Sequence, residues 1–333
     1  MYEIRIIDGK QFRTNAQMSG IIGGVEKAYS LFSSGQAGLW PIISHEFEPG
    51  KSEMDIKSGY MDGAGIYGLK ILGWKADNPQ TLGVPALSGF IMVMGTERQQ
   101  PIGLVDGGSV TFYRTGAAGA VGAKYLARPE SEKAVIVGCG AQGRAQLMGL
   151  ATVMKNLKEI TLFDIHDTAA QKMEEETSHL YPTLAIKAKP YAELDTYLAE
   201  ADIIVTCTVS HSKFIKAGII KKGTHINAIG ADMKGKQELD PNLFAGAKVF
   251  CDSAAQVTER GESQYAFAQG LISGEAITEI GNVINGAKPG RTSEDEITIF
   301  DATGMALQDI ITAKVTLDYA EEANIGTVLC IEQ

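Results

Sequence analysis

The chain has 333 residues, with 40 acidic against 30 basic side chains and a formal net charge of −10, which argues against non-specific binding to nucleic acid or to an anionic membrane. That length accommodates two domains with sizeable cores. The start, Met-Tyr-Glu-Ile-Arg-Ile-Ile-Asp, carries no secretory pattern, no apolar run is long enough to span a bilayer, and Cys139, Cys207, Cys251 and Cys330 lack metal-ligand spacing, so the expectation is a soluble, cytoplasmic protein with reduced thiols.

Residues 1–112 do not read as alternating strands and helices. A short strand is predicted over 4–8. A helix follows over 15–34, with Ile21, Ile22, Val25, Tyr29 and Phe32 on one face. Short β-like segments come next, over 56–60, 66–72, 89–94 and 102–106. Turn signals separate them at Glu48-Pro-Gly50, Asp77-Asn-Pro79 and Asp106-Gly-Gly108. This pattern predicts an antiparallel sheet or part of a barrel, an α+β domain suited to substrate binding and dimerisation. The small residues over 115–126 predict a close-packed helix.

The stretch Lys133-Ala-Val-Ile-Val-Gly-Cys-Gly-Ala-Gln-Gly-Arg144 changes the pattern. Apolar β-formers lead into Gly138, Gly140 and Gly143, in the G-x-G-x-x-G spacing, and then into a helix over 142–155. Such a turn lets backbone approach a pyrophosphate at a helix N-terminus. Alone the motif is weak, since a glycine turn need not bind a nucleotide. Here a second strand over 159–163 ends in Asp164, about 20 residues beyond the last glycine, where an acid can hold ribose hydroxyls. Asp164 is followed by Ile165 and His166 rather than arginine, which favours NAD(H) over NADP(H). Further strands are predicted over 184–188, 203–208, 225–229 and 249–251. About six parallel strands make an α/β, doubly wound Rossmann domain. A helix over 305–323 returns to the first domain. The expected division is 1–112, completed by 311–333, for substrate and dimerisation, and 113–310 for NAD binding.

A nucleotide domain specifies a cofactor, not a substrate. Four places offer chemistry. Lys70, at the end of a β-like segment, can bind a carboxylate or give a proton to a C=N or C=O group; the alternative is a surface lysine. Arg114 and Thr115, at the start of the small-residue helix, suit an anion clamp, or Arg114 is an interdomain salt bridge. Asp232, at the carboxyl end of a strand, can act as acid or base or hold an ammonium, or it caps a helix or an Asx turn. Lys57 shares a strand face with Asp55 and Gly59 and selects carboxylates, or it is a solvated edge lysine. Among the five histidines, only His45 lies in the substrate half and is not otherwise placed.

These motifs, in this order, resemble the ornithine cyclodeaminase/μ-crystallin family over nearly the whole chain. The likeness runs through Gly68-Leu-Lys70, Asn78-Pro79, Gly83-Val-Pro85 and Pro101-Ile-Gly-Leu-Val-Asp106. It continues through Arg114-Thr-Gly-Ala-Ala118, Gly138-Cys-Gly-Ala-Gln-Gly143, Gly230-Ala-Asp-Met-Lys-Gly-Lys-Gln-Glu-Leu-Asp240, Gly290-Arg291 and Phe300-Asp-Ala-Thr-Gly-Met-Ala-Leu-Gln-Asp309. The resemblance implies homodimers, a catalytic lysine at Lys70, a carboxylate-binding arginine at Arg114 and an amine-handling acid at Asp232. It implies cofactor contacts at Thr115, Ala141, Gln142, Asp164, Thr206 and Thr208.

Two departures point away from ornithine. The family's cyclodeaminases carry an arginine soon after a proline in the region that here reads Trp40-Pro-Ile-Ile-Ser-His45, which has none. They also place a glutamate for the distal ammonium thirteen residues before the lysine, where this chain has Lys57. Two like charges about 4 Å apart repel by about 1 kcal/mol in water and several times that in a cleft. The expected function is therefore an NAD(H)-dependent amino-acid dehydrogenase or imine reductase of small or acidic (alanine- or aspartate-type) imino acids. Ornithine cyclodeamination, and a non-catalytic NAD(H) or small-ligand binder, are the alternatives.

Overall fold

Residues 1–106 form seven strands, several of them rich in β-branched and aromatic residues: β1 (Tyr2–Ile7), β2 (Ala37–Leu39), β3 (Ile43–Glu48), β4 (Ser52–Met61), β5 (Ile66–Lys75), β6 (Leu87–Gly95) and β7 (Pro101–Asp106). The structure, a computed structural model, describes residues 1–332. It divides into two compact units, one of Met1–Arg114 with the chain from Met305 onward, the other of Thr115–Gly304.

In the first unit the strands and the last one, Thr327–Ile331, make an open sheet rather than a barrel. Its order is Thr327–Ile331, β1, β7, β6, β5, β4, β2, with β3 also paired to β4. All pairs are antiparallel except β1 with β7. One face packs on the helix Ala306–Glu322. A Cβ on Gly103 would lie 2.5 Å from Leu317 Cδ2, and one on Gly59 would lie 3.0 Å from Leu307 Cδ2. Glycine at these two places lets that helix settle close on the sheet.

Several expected bounds change. The helix expected over 15–34 is Met18–Ser33, and a further helix, Gly9–Asn15, precedes it, parted from it at Ala16, whose backbone is extended. Asp8 and Gln11 form a capping box on the Gly9–Asn15 helix. Asp106-Gly-Gly108 is not a turn between strands. Asp106 Oδ2 accepts from Ser109 N at 2.7 Å and so caps a helix running from Gly107 to Leu126. The return to the first unit comes at Met305, not at 311, because the whole last helix is packed there.

The second unit adds β8 (Lys133–Val137), β9 (Glu159–Phe163), β10 (Ala185–Ala188), β11 (Ile203–Thr206), β12 (His211–Ile215), β13 (His225–Ala228), β14 (Gln237–Leu239), β15 (Ala247–Cys251), β16 (Ile277–Glu279) and β17 (Ile297–Asp301). Eight of them form a parallel sheet in the order β10-β9-β8-β11-β13-β17-β15-β16, and β12 pairs with β14. The central strands β8, β9, β11, β13 and β17 are almost wholly buried, as a sheet covered on both faces requires. Eight strands rather than six follow because β16 and β17 were not expected. In β17, Thr298 interrupts the apolar run, yet it is buried and hydrogen-bonded to His225 and to the Leu126 carbonyl. The small-residue helix packs as expected: a Cβ on Gly116 would lie 2.3 Å from the Ala145 carbonyl oxygen. Among the described residues no helix is long and apolar enough to cross a membrane.

Candidate active site

The chemistry-bearing residues fall in both units, and each set has its own geometry. In the first unit Lys70 lies mid-way along β5, not at its end. It is 3% exposed and its Nζ sits 2.7 Å from Asp309 Oδ2. Asp309 belongs to the first turn of the Ala306–Glu322 helix, where the helix dipole favours an acid. Its other oxygen lies 3.1 Å from Arg114 Nε. Arg114 Nη1 donates to Gln308 Oε1 at 3.3 Å, and Gln308 in turn donates to the Tyr29 hydroxyl.

Arg114 is buried mid-way along the Gly107–Leu126 helix. It therefore does not stand at a helix start, and the dipole argument for an anion clamp fails there. Its forked donors remain. Lys57 is the direct cross-strand partner of Lys70, so both project from the same face of the sheet. Lys57 is half-buried and makes no ion pair among the described residues. The site thus gathers three cations around one carboxylate.

Burial pulls Lys70 down to about 7. Asp309 opposes that shift, while Arg114 and Lys57 add to it. For Asp309, burial pushes its carboxyl up, but Lys70 and Arg114 outweigh burial and hold it below the usual range. A lysine so tuned gives or takes a proton near neutrality. His45 is not part of this arrangement. It is the cross-strand partner of Met54, which places it on the opposite face from Lys57, exposed, with its ring edge-on to Phe47.

In the second unit, β8 ends in the glycine turn. Gly138 has φ +105°, and a Cβ there would lie 2.7 Å from the Cys207 carbonyl oxygen. A Cβ on Gly143 would lie 2.1 Å from the Gly138 oxygen, whereas one on Gly140 would meet nothing within 4 Å. The outer two glycines are needed by the fold, and the middle one faces open space. The Ala141–Val153 helix starts there with no side-chain cap. Gly140 and Ala141 are exposed and Gln142 is half-buried, so the free N–H groups of the first turn are available to an anion. Asp164, at the end of β9, accepts from Cys139 N at 2.9 Å and from His166 N at 3.0 Å. These residues fit a dinucleotide: an open cradle for pyrophosphate beside an acid for ribose. Thr115 is buried, and its carbonyl accepts from Gln146 Nε2 at 2.7 Å.

Thr206 ends β11, and Thr208 follows it in the turn. Glu238, fully buried, accepts from Thr208 N at 2.6 Å and Thr208 Oγ1 at 2.7 Å through Oε1. It accepts from Gly230 N at 3.0 Å through Oε2. It thereby ties the loop after β11 to the loop after β13, which carries Asp232. No helix follows Asp232; β14 does. The cap reading is replaced by an ion pair with Lys236 at 2.7 Å. Neither Asp309 nor Glu238 was singled out from the sequence. Their signal was an acid set inside an apolar run, Leu307-Gln-Asp-Ile-Ile311, and at the start of a short buried strand end, Glu238-Leu239. Among the described residues no group of side chains has the makings of a metal site.

The glycine turn, the uncapped helix and Asp164 on a parallel sheet define a Rossmann-type, two-unit α/β protein of the dinucleotide-binding class. Residues 7–324 match the ornithine cyclodeaminase/mu-crystallin family model. The chain is 35% identical to the alanine dehydrogenase of Archaeoglobus fulgidus, over 98% of each chain. A solved archaeal alanine dehydrogenase dimer with bound NAD superposes with a TM-score of 0.89 at 34% identity, covering 99% of this chain and all of that one. The iminosuccinate reductase of Paracoccus denitrificans, solved with NAD+, gives 0.93 at 29% identity over 99% and 100%. The protein belongs to the ornithine cyclodeaminase/mu-crystallin family.

Proposed function

We propose that the protein is an NAD(H)-dependent oxidoreductase of amino acids and their imines, acting on a small or acidic, alanine- or aspartate-type, imino acid. The observation that carries this reading is the buried Lys70–Asp309–Arg114 cluster with Lys57 directly across the strand pair. Arg114 binds the α-carboxylate. Lys57 binds a second carboxylate and repels a distal ammonium. Lys70 supplies a proton to the imine nitrogen, and Asp232 handles the amine. Bound at Gly138, Gly140, Ala141, Gln142, Gly143 and Asp164, with Thr115, Thr206 and Thr208, NAD(H) supplies or accepts the hydride.

Positioning and proton transfer are the two contributions these side chains can make. In this reading the first unit serves the substrate and a homodimer, and the second serves NAD(H). The sheet face opposite Lys70 supports the dimer. Ile43, Ile56, Ile71 and Phe90 lie in direct cross-strand register there, with Ile43, Ile71 and Phe90 exposed. Four unpaired cysteines fit the cytoplasm.

The test gives purified protein NADH with pyruvate or oxaloacetate plus ammonia or methylamine, and separately NAD with ornithine. Net NADH oxidation with a keto acid and amine is expected. Proline and ammonia formed from ornithine without net change in NADH would replace this reading with cyclodeamination. Tight NADH binding with no turnover would replace it with a binding protein.

A further inference from the structure

We propose that Asp309 is a positioning residue of this site: its carboxylate holds the Lys70 ammonium and the Arg114 guanidinium where a substrate meets them, and keeps Lys70 cationic beside two other cations. The inference rests on the reading of Lys70 as the proton donor. Its basis is geometric. One carboxylate oxygen meets Lys70 Nζ at 2.7 Å and the other meets Arg114 Nε at 3.1 Å, with all three side chains at most 10% exposed. A buried carboxylate shared by two cations fixes both, since moving either leaves an unpaired charge. Gln308, the preceding residue, holds Arg114 Nη1 at the same time. The guanidinium fork keeps further N–H donors with which it can take a substrate carboxylate.

The charged groups facing Lys70 are Asp309 from the Ala306–Glu322 helix, Arg114 from the Gly107–Leu126 helix and Lys57 from β4. Its cross-strand neighbour on β6 is Ile91, which is neutral. Asp309 is therefore the one group among these that favours the ammonium form. Without it, three cations would share a buried site, and Lys70 would surrender its proton at lower pH.

Asp309→Asn keeps the shape and removes the charge. In the parent, kcat/KM for imine reduction should fall as pH rises through about 7, where Lys70 loses its proton. In Asp309→Asn that midpoint should move about 1–3 pH units toward acid, with the KM for the carboxylate substrate raised. The dissociation constant for NADH, read by its fluorescence, should stay unchanged and report an intact second unit. A pH profile superimposing on the parent's overturns the proposal. Should D309N not accumulate as folded protein, Asp309→Glu carries the test. It keeps the charge but displaces it, so the midpoint should hold while KM rises; a moved midpoint with unchanged KM overturns the proposal. Lys70→Ala separates the two ideas. If it leaves rate and profile untouched, the role of Lys70 itself fails. If it abolishes turnover while Asp309→Asn changes nothing, only the role of Asp309 fails.

Discussion

Both units bury ionisable side chains, and they do so in opposite ways. In the first, unlike charges meet: Asp309 is shared between Lys70 and Arg114, with Lys57 beside them. In the second, four buried acids are met by backbone N–H and hydroxyl donors. Glu238 takes N–H and O–H groups of Thr208 and Gly230; Glu262 takes the N–H groups of Glu238 and Leu239. Asp301 takes those of Glu262 and Ser263, and Asp252 takes that of Gly304. All four acids are at most 1% exposed. In the proposed function the cations of the first unit are lent to a substrate, because a carboxylate ligand replaces nothing they must give up. The acids of the second unit are committed to backbone and hold loops at the carboxyl ends of β11, β13, β15 and β17. In the proposed reading the first unit uses its buried charges for chemistry, while the buried acids of the second serve its shape.

Removing the central cation should break the comparison on the chemical side alone. Lys70→Ala should lower kcat by about 10²–10⁴, the range expected of a proton-transfer group, while NADH binding by fluorescence titration stays at the parent value. Equal losses in both would mean that Lys70 supports the fold rather than the reaction. Lys57→Glu comes next. Reversing a charge some 4 Å from a carboxylate changes the interaction by about 2 kcal/mol in water-like surroundings and more in a cleft. The expected result is a rise of at least about tenfold in KM for a dicarboxylate imine, with a smaller change for the monocarboxylate. Equal changes for the two substrates would remove Lys57 from the second-carboxylate position.

The chemical side was more legible in the sequence than the scaffold. Lys70, Lys57 and Arg114 stood out because cations among apolar or glycine-rich neighbours are conspicuous. The glycine spacing at Gly138, Gly140 and Gly143 marks the nucleotide turn by itself. Asp309 did not stand out, because its meaning depends on a helix far along the chain packing over β5; no local spacing links residue 309 to residue 70. Arg114 was placed at a helix start because Asp106-Gly-Gly108 reads equally as a hairpin turn or as a cap with two glycines behind it. The contact between Asp106 and Ser109 N decides for the cap. His45 failed for a parity reason: a β3 register matching it to Met54 sends it to the other face. Nothing in the sequence marks Glu238, Glu262 and Asp301 as buried, since their partners are chiefly backbone N–H groups, which leave no signature in side-chain types.

Those acids give the finest test. Glu238 uses both oxygens on different donors, Thr208 through Oε1 and Gly230 through Oε2. In Glu238→Gln an amide NH2 must face one of those donors, and a buried N–H left unpaired costs about 1–3 kcal/mol. A lowered Tm is the expected result; an unchanged Tm would mean these loops do not depend on Glu238. Glu262 differs, since its Oε1 meets both Glu238 N, at 2.9 Å, and Leu239 N, at 2.6 Å, and Oε2 only shares Glu238 N, at 3.0 Å. An amide oxygen can do the same, so Glu262→Gln should change Tm least at pH 7. Burial, and then the charge of Glu238, push Glu262 up to about 9 from its usual 4.5. The folded state then keeps a proton that the unfolded chain releases, so this contribution is full below about pH 4.5 and is lost as pH rises through about 9. Asp309 has the opposite sign: with its carboxyl held below the usual range, its contribution is present above that range and lost as pH falls. Thermal melts from pH 7 to 9 should therefore decline less steeply for Glu262→Gln than for the parent. Parallel declines would show that Glu262 is already ionised in the folded protein, stabilised by its backbone donors more than it is disfavoured by burial.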